Sequence, residues 1–142
     1  MRLGDMPGFS ALLGDIGDPA LVTRFSREQL DTVVAVNVLE HIRDDVSALR
    51  HVACILSSLG RVILLVPALP LLYGTMDEAD GHYRRYTLRG LVHKLQASGL
   101  KAVRMFYFNI LGVLGWFVNG RVFQRRYVPE RQLMAYDISP SL

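Results

Sequence analysis

Residues 31–45, DTVVAVNVLEHIRDD, decide the fold. Thr32 to Val36 is a short run rich in β-branched side chains, the composition of a strand covered on both faces, as in a parallel sheet. The run stops at polar residues, with Asn37, Glu40 and His41 clustered at the carboxyl end of the strand. In an open α/β sheet that edge is where ligands sit. Asp44 and Asp45 then fall in the first turn of a following helix, where carboxylates complement the helix dipole.

Upstream, Asp18-Pro19 is a helix start, with Asp as N-cap and Pro at the first helical position. That helix runs to about Gln29 and buries Leu21 and Phe25. Phe9 to Leu13, ahead of Gly14-Asp15, reads as a first strand, and residues 1–8 as a connection. Downstream, Ile42, Val46, Leu49, Ala53 and Leu56 recur at helical spacing, with Gly60 as a stop signal. Arg61 to Val66 reads as another buried strand, ended by Pro67 and Pro70. Residues 67–87 form a long loop, and loops of that length in a compact domain are usually functional or mobile. Thr87 caps a helix whose apolar face is Leu88, Leu91, Val92 and Leu95, closed by Gly99, and Leu100 to Phe108 reads as a last strand. This order predicts one α/β domain over residues 1–142, with sheet and helices over 9–108. The sheet is mostly parallel, with helices on both faces.

Composition narrows the class. Half the residues are apolar (51%), enough for a packed core, and the net charge is only +3. The basic excess lies in Arg84, Arg85, Arg121, Arg125, Arg126 and Arg131 rather than in a dense block, without an aromatic-basic signature, so nucleic acid is not an expected partner. Cys54 is the single cysteine, which rules out an internal disulfide and points to a reducing compartment. No secretory signal is evident at the N-terminus, and a cytoplasmic location is expected.

Residues 109–118, NILGVLGWFV, are apolar, but a membrane-crossing helix needs ~20 such residues. This apolar-basic C-terminal segment reads either as a buried or lid element on the sheet, or as a peripheral membrane contact. In the second reading, Trp116 and Phe117 enter lipid beside Arg121, Arg125 and Arg126 over 109–126. The first is the simpler reading.

Several of these stretches resemble class I S-adenosylmethionine-dependent methyltransferases. DTVVAVNVLEHI, residues 31–42, is similar to their fourth strand and the loop after it. Gly14-Asp15-Ile16 resembles the end of their third strand, where an acidic residue meets the adenine amino group. GRVILLVPALPLLYGTMDEADGHYRRYT, residues 60–87, resembles the fifth strand and substrate-side loop of a bacterial subgroup, and FNILGVLGWFVNGRVFQRR, residues 108–126, continues the likeness. The resemblance implies a partial Rossmann-like sheet and S-adenosyl-L-methionine as cofactor. It also implies absences. The family's glycine-rich cofactor loop and its ribose-binding acidic residue have no counterpart before Gly14, and the seventh strand has none after the tail. The chain is thus expected to correspond to the middle and later part of such an enzyme, with the first two strands missing, and to bind the cofactor poorly alone.

Candidate site residues follow from the chemistry of methyl transfer, an in-line displacement that needs donor and acceptor held together and, in places, a proton removed. Asp15 and Ile16 are the candidates for the adenine, although Gly-Asp is equally a common turn pair. Asn37 and Val38 are candidates for the amino-acid end of the cofactor; Asn37 can as well satisfy strand-end backbone groups. His41 is a candidate general base, its reference pKa being near neutrality, or else a histidine that shapes the loop. His82 joins it as the second candidate catalytic residue. Glu40, Tyr83, Arg84 and Arg85 are the candidates for substrate, because arginine forks suit carboxylate or phosphate and tyrosine stacks on rings or sugars. The alternative is that Asp77 and Glu78 salt-bridge these arginines and merely order the loop, and Tyr86 is expected to pack internally.

Glu40-His41 is also similar to an E-x-x-E-H pattern of a quinone-biosynthesis branch that binds a divalent ion. Asn37 stands at its first acidic position, two neighbouring ligands do not make a metal site, and no metal is expected. The resulting expectation is a methyltransferase acting on a small or lipid- or sugar-linked acceptor. The competing one is a non-catalytic α/β module that binds a protein partner or membrane surface. A sheet lacking its first strands also invites edge pairing between two copies, hence a homodimer.

Overall fold

The computed structural model describes residue 8 and residues 10–108. The deciding stretch folds as its composition dictates. The β-branched run lies in strand β1 (Leu30–Val36), which pairs in parallel with β2 (Leu56–Leu65). Between them runs helix α2 (Asp45–Ile55), so the three make a βαβ unit, the usual way to join parallel neighbours. Asp44 caps α2 by accepting the Ser47 N–H at 3.0 Å. Helix α1 (Pro19–Glu28) precedes β1; Asp18 caps it by accepting the Ala20 N–H at 2.9 Å. Leu21 and Phe25 of α1 are half-buried rather than buried.

The register sets Val33 beside Val62, Val34 beside Ile63, Ala35 beside Leu64 and Val36 beside Leu65. Paired residues of parallel strands share a face, so the sheet has two unlike sides. Leu64, together with Val66 just beyond the strand, packs against a core made by Leu39, Ala48, Leu49, Tyr86, Leu91 and Leu95. Val34 (61%), Val36, Ile63 (56%) and Leu65 stay exposed on the other. Coverage on both faces is therefore corrected: among the described residues one face is covered.

Two expected strands are corrected as well. Residues 10–13 and 100–108 carry no strand. A strand is held by inter-strand hydrogen bonds, and neither segment has a neighbour to pair with in the two-stranded sheet. Leu13 and Val103 stay exposed, whereas Leu100, Ala102 and Met105 pack against the core without forming a strand. Phe9 and the 109–126 segment lie outside the described residues.

Strand β2 begins earlier than expected, at Leu56, and its register jumps between Leu30↔Leu56 and Thr32↔Arg61. Gly60 sits in that irregularity and is no helix stop. A Cβ there would lie 3.0 Å from the Leu30 carbonyl oxygen and from Leu56 Cβ, so the close approach of the strands requires glycine.

The long connection of residues 67–87 is ordered by short elements: a 3-10 turn (Pro70–Leu72) and helix α3 (Thr75–Ala79). It closes on itself where Tyr86 N–H donates to the Pro67 carbonyl (2.9 Å) and Leu69 N–H to the Tyr86 carbonyl (3.0 Å). Helix α4 (Leu88–Ala97) follows, capped by Thr87, whose hydroxyl accepts the Gly90 N–H at 3.0 Å. It ends in a Schellman turn: Leu100 N–H reaches the Leu95 carbonyl at 2.9 Å, with Gly99 at φ +83°. Among the described residues no helix is long and apolar enough to cross a membrane.

Candidate functional site

The carboxyl end of β1 builds the site. The Asn37 N–H donates to the Leu65 carbonyl at 2.9 Å, one step past the last paired residues. The chain then turns sharply, with Asn37 at φ +51°. Asparagine tolerates that left-handed region better than most residues. The turn throws the backbone into a 3-10 turn (Leu39–His41), which buries Leu39 and Glu40 and leaves His41 exposed.

An open cleft of about 450 Å3 lies at this corner, lined by Gly14, Asp15, Ile16, Asn37, Val38, His41 and Ile42. Asp15, Ile16, Asn37 and Val38 thus share one cavity, and His41 stands on its wall. One Asp15 carboxylate oxygen accepts the Gly17 N–H at 2.7 Å, so Asp15 does serve the turn. A link absent from the sequence reading fixes this wall. His51, on α2, donates from Nδ1 to the Ile16 carbonyl at 2.7 Å. Nothing in the spacing of His51 within its helix signals that contact.

On the other side of His41 stands the loop of residues 74–86, organised by Asp77. Its carboxylate is fully buried (0% exposed). It accepts from Arg85 Nε at 2.8 Å, His82 Nδ1 at 2.9 Å and the Gly74 N–H at 3.0 Å. Burial alone would raise the Asp77 carboxyl, but the bonds from Arg85 and His82 outweigh it and hold the group below its ordinary value. Arg85 is 6% exposed in its side chain and also donates to the Ala68 carbonyl at 3.2 Å. The loop-ordering salt bridge by Asp77 is therefore present, and Arg85 is engaged within the loop.

Arg84 is engaged too, through Asp45 Oδ2 at 2.8 Å and the Arg43 carbonyl at 2.7 Å, with part of its guanidinium still open. Asp45 is a second buried hub. Lys94 Nζ donates to it at 2.8 Å, and the Tyr86 hydroxyl lies 3.1 Å from both Asp45 and the Leu39 carbonyl. Burial would raise the Asp45 carboxyl; Lys94, Arg84 and Tyr86 together bring it below its ordinary value. Burial, reinforced by the Asp45 charge, drives the Tyr86 hydroxyl strongly upward, so it stays a neutral donor. Tyr86 is internal, as expected. Tyr83 is exposed beside Arg84.

The two walls meet through backbone and rings. Tyr83 N–H donates to the Glu40 carbonyl at 2.8 Å, and the His41 and His82 rings stand edge to face with centroids 4.6 Å apart. Glu40, expected to face substrate, is fully buried, and among the described residues neither carboxylate oxygen has a hydrogen-bond partner. The structure thus gathers His41, His82 and Glu40 into one cluster, while Tyr83 and Arg84 lie on its outer rim.

Comparisons of the chain with protein-family models, with curated proteins and with solved structures find no match.

Proposed function

We propose that this chain is part of a Rossmann-like, S-adenosylmethionine-dependent methyltransferase. In this reading the cleft at the end of β1 seats the adenosyl end of the donor. One observation carries it: Asp15, Ile16, Asn37 and Val38, drawn from segments more than 20 residues apart in sequence, line a single cavity. The donor set suits an adenosyl group. A carboxylate can accept from an exocyclic amine, Ile16, Val38 and Ile42 offer apolar surface to a flat ring, and the Asn37 amide can serve a polar end. When bound, the cofactor supplies a methyl group on a sulfonium sulfur. Asp15 is the one carboxylate lining the cavity, so the described residues hold that group at one end only.

His41, exposed on the cavity wall, is the group that can take a proton from an acceptor at an imidazole nitrogen. Tyr83 and Arg84, which stand beside each other outside the lining of that cavity, are the residues we assign to the acceptor. A ring for Tyr83 and an anionic group for Arg84 fit a small or a lipid- or sugar-linked acceptor. Titration calorimetry with S-adenosylhomocysteine tests the reading. Saturable binding tighter than about 1 mM, weakened in Asp15→Ala, is the expected result. No heat at millimolar ligand would overturn it.

A second reading has its own observation. The bare apolar face of Val34, Val36, Ile63 and Leu65 is a surface a partner could cover, as a non-catalytic binding module requires. An absence of S-adenosylhomocysteine binding, together with self-association in light scattering that Ile63→Lys abolishes, would favour it.

A further inference from the structure

We infer that Glu40, His41 and His82 form a binding site for a borderline-soft divalent cation such as Zn2+. Their ligand atoms lie within 4.8 Å of one another. The inference does not depend on the methyl-transfer reading, because it rests on a different set of contacts.

Glu40 carries the argument. Its side chain is wholly removed from solvent, and neither of its carboxylate oxygens meets a donor among the described residues. Buried carboxylates are ordinarily paired, hydrogen-bonded or metal-bound, since an uncompensated one is costly. The imidazoles of His41 and His82 bring a ring nitrogen within 4.8 Å of it, yet neither donates a hydrogen bond to either oxygen. A cation shared by the three satisfies all of them.

His82 is prepared for that role. Asp77 takes its Nδ1–H at 2.9 Å, which fixes the tautomer and leaves Nε2 as the free ligand nitrogen. Asp77 is itself held by Arg85 and by the Gly74 N–H, so the ring has little freedom to turn away. The backbone bond from Tyr83 to the Glu40 carbonyl locks the two segments in register.

One carboxylate and two imidazoles select the metal. Imidazole suits Zn2+, Ni2+ and Co2+, whereas Mg2+ and Ca2+ take oxygen donors. Tetrahedral bonds of about 2.0–2.1 Å place ligand atoms roughly 3.4 Å apart, so the cluster must contract. His41 is exposed and can rotate inward to do so. Three protein ligands leave a fourth position for water or substrate, next to the cleft that His41 lines. When the site is filled, His41 and His82 act as ligands rather than as proton acceptors.

The test is titration of the chelator-treated chain with ZnCl2, followed by calorimetry and by the visible spectrum of the Co2+-substituted protein. About one equivalent per chain is expected, with MgCl2 unable to compete. Glu40→Gln and His82→Ala should each weaken binding by more than about 100-fold, and Asp77→Asn by about 10–100-fold. Should Glu40→Gln fail to fold by circular dichroism, His41→Ala, at an exposed position, tests the same site. The inference is overturned if the folded wild-type chain binds no Zn2+. It also falls if the ligand variants bind as the wild type does, or if binding is lost in Cys54→Ser instead, which would mean capture by the exposed thiol.

Discussion

The two walls that meet at His41 are built in opposite ways. The wall formed by residues 74–86 is pinned by buried charge. Asp77 gathers Arg85, His82 and the Gly74 N–H, while Asp45 gathers Lys94, Arg84 and Tyr86 beneath it. The wall formed by residues 14–16 is exposed or half-buried, and it rests on two turn bonds at Asp15, the His51 contact and Ile16 packed against the core. The first wall is cross-linked by buried ion pairs, which hold its side chains in place. The second is held by turn bonds, the His51 contact and apolar packing, and it stands more open to solvent. Side-chain positions are thus fixed more firmly on the His82 side than on the Asp15 side.

The largest expected effect comes from breaking the charged wall. Asp77→Ala takes the counter-charge from the nearly buried Arg85 guanidinium and removes the orienting partner of His82. Removing one member of a buried pair costs about 3–5 kcal/mol, read as a fall in the urea midpoint. A loss below about 1 kcal/mol, the scale of an exposed pair, would mean that the two walls are not as unlike as the contacts imply.

Acid should reach the same wall first. The Asp45 carboxyl is held below its ordinary value of 3.8, so its bonds stabilise the folded chain fully above that value. The contribution is lost as pH falls through the lower folded-state value. Wild-type stability should therefore drop more steeply than that of Asp45→Asn from about pH 5 downward, the two converging at the acid end. Parallel curves would contradict the linkage.

A smaller change sharpens the contrast from the other side. His51→Leu removes the 2.7 Å bond to the Ile16 carbonyl. About 0.5–1.5 kcal/mol of stability should be lost. Hydrogen exchange should quicken at residues 14–18 while residues 74–86 keep their protection. Equal loosening of both segments would show them to be one unit.

What was legible in the sequence was the local part. Asp18 and Thr87 cap helices as read, because their side chains reach N–H groups only a few residues on, while Asp44, expected in the first turn, is itself a cap. The β-branched run became a strand, and Asn37 to His41 fell at its end. What depends on a partner was not legible. Residues 10–13 and 100–108 have strand-like composition, yet a strand exists only where another completes its ladder. The same reason left Val34 and Ile63 bare, since burial on both faces is a property of neighbours. Gly60 read as a helix stop because a close strand approach has no signature distinguishable from a turn. The Glu40–His41–His82 cluster was not legible because its third member is 41 residues from the second, brought back by a loop organised on Asp77.

The account turns on whether the cavity at the end of β1 receives an adenosyl group. The most direct measurement is an amide chemical-shift titration of the isotope-labelled chain with S-adenosylhomocysteine. Saturating shifts are expected at residues 14–17 and at Asn37 and Val38, with residues 88–97 of α4 unmoved. Shifts absent at millimolar ligand, or confined to segments away from that cavity, would contradict it.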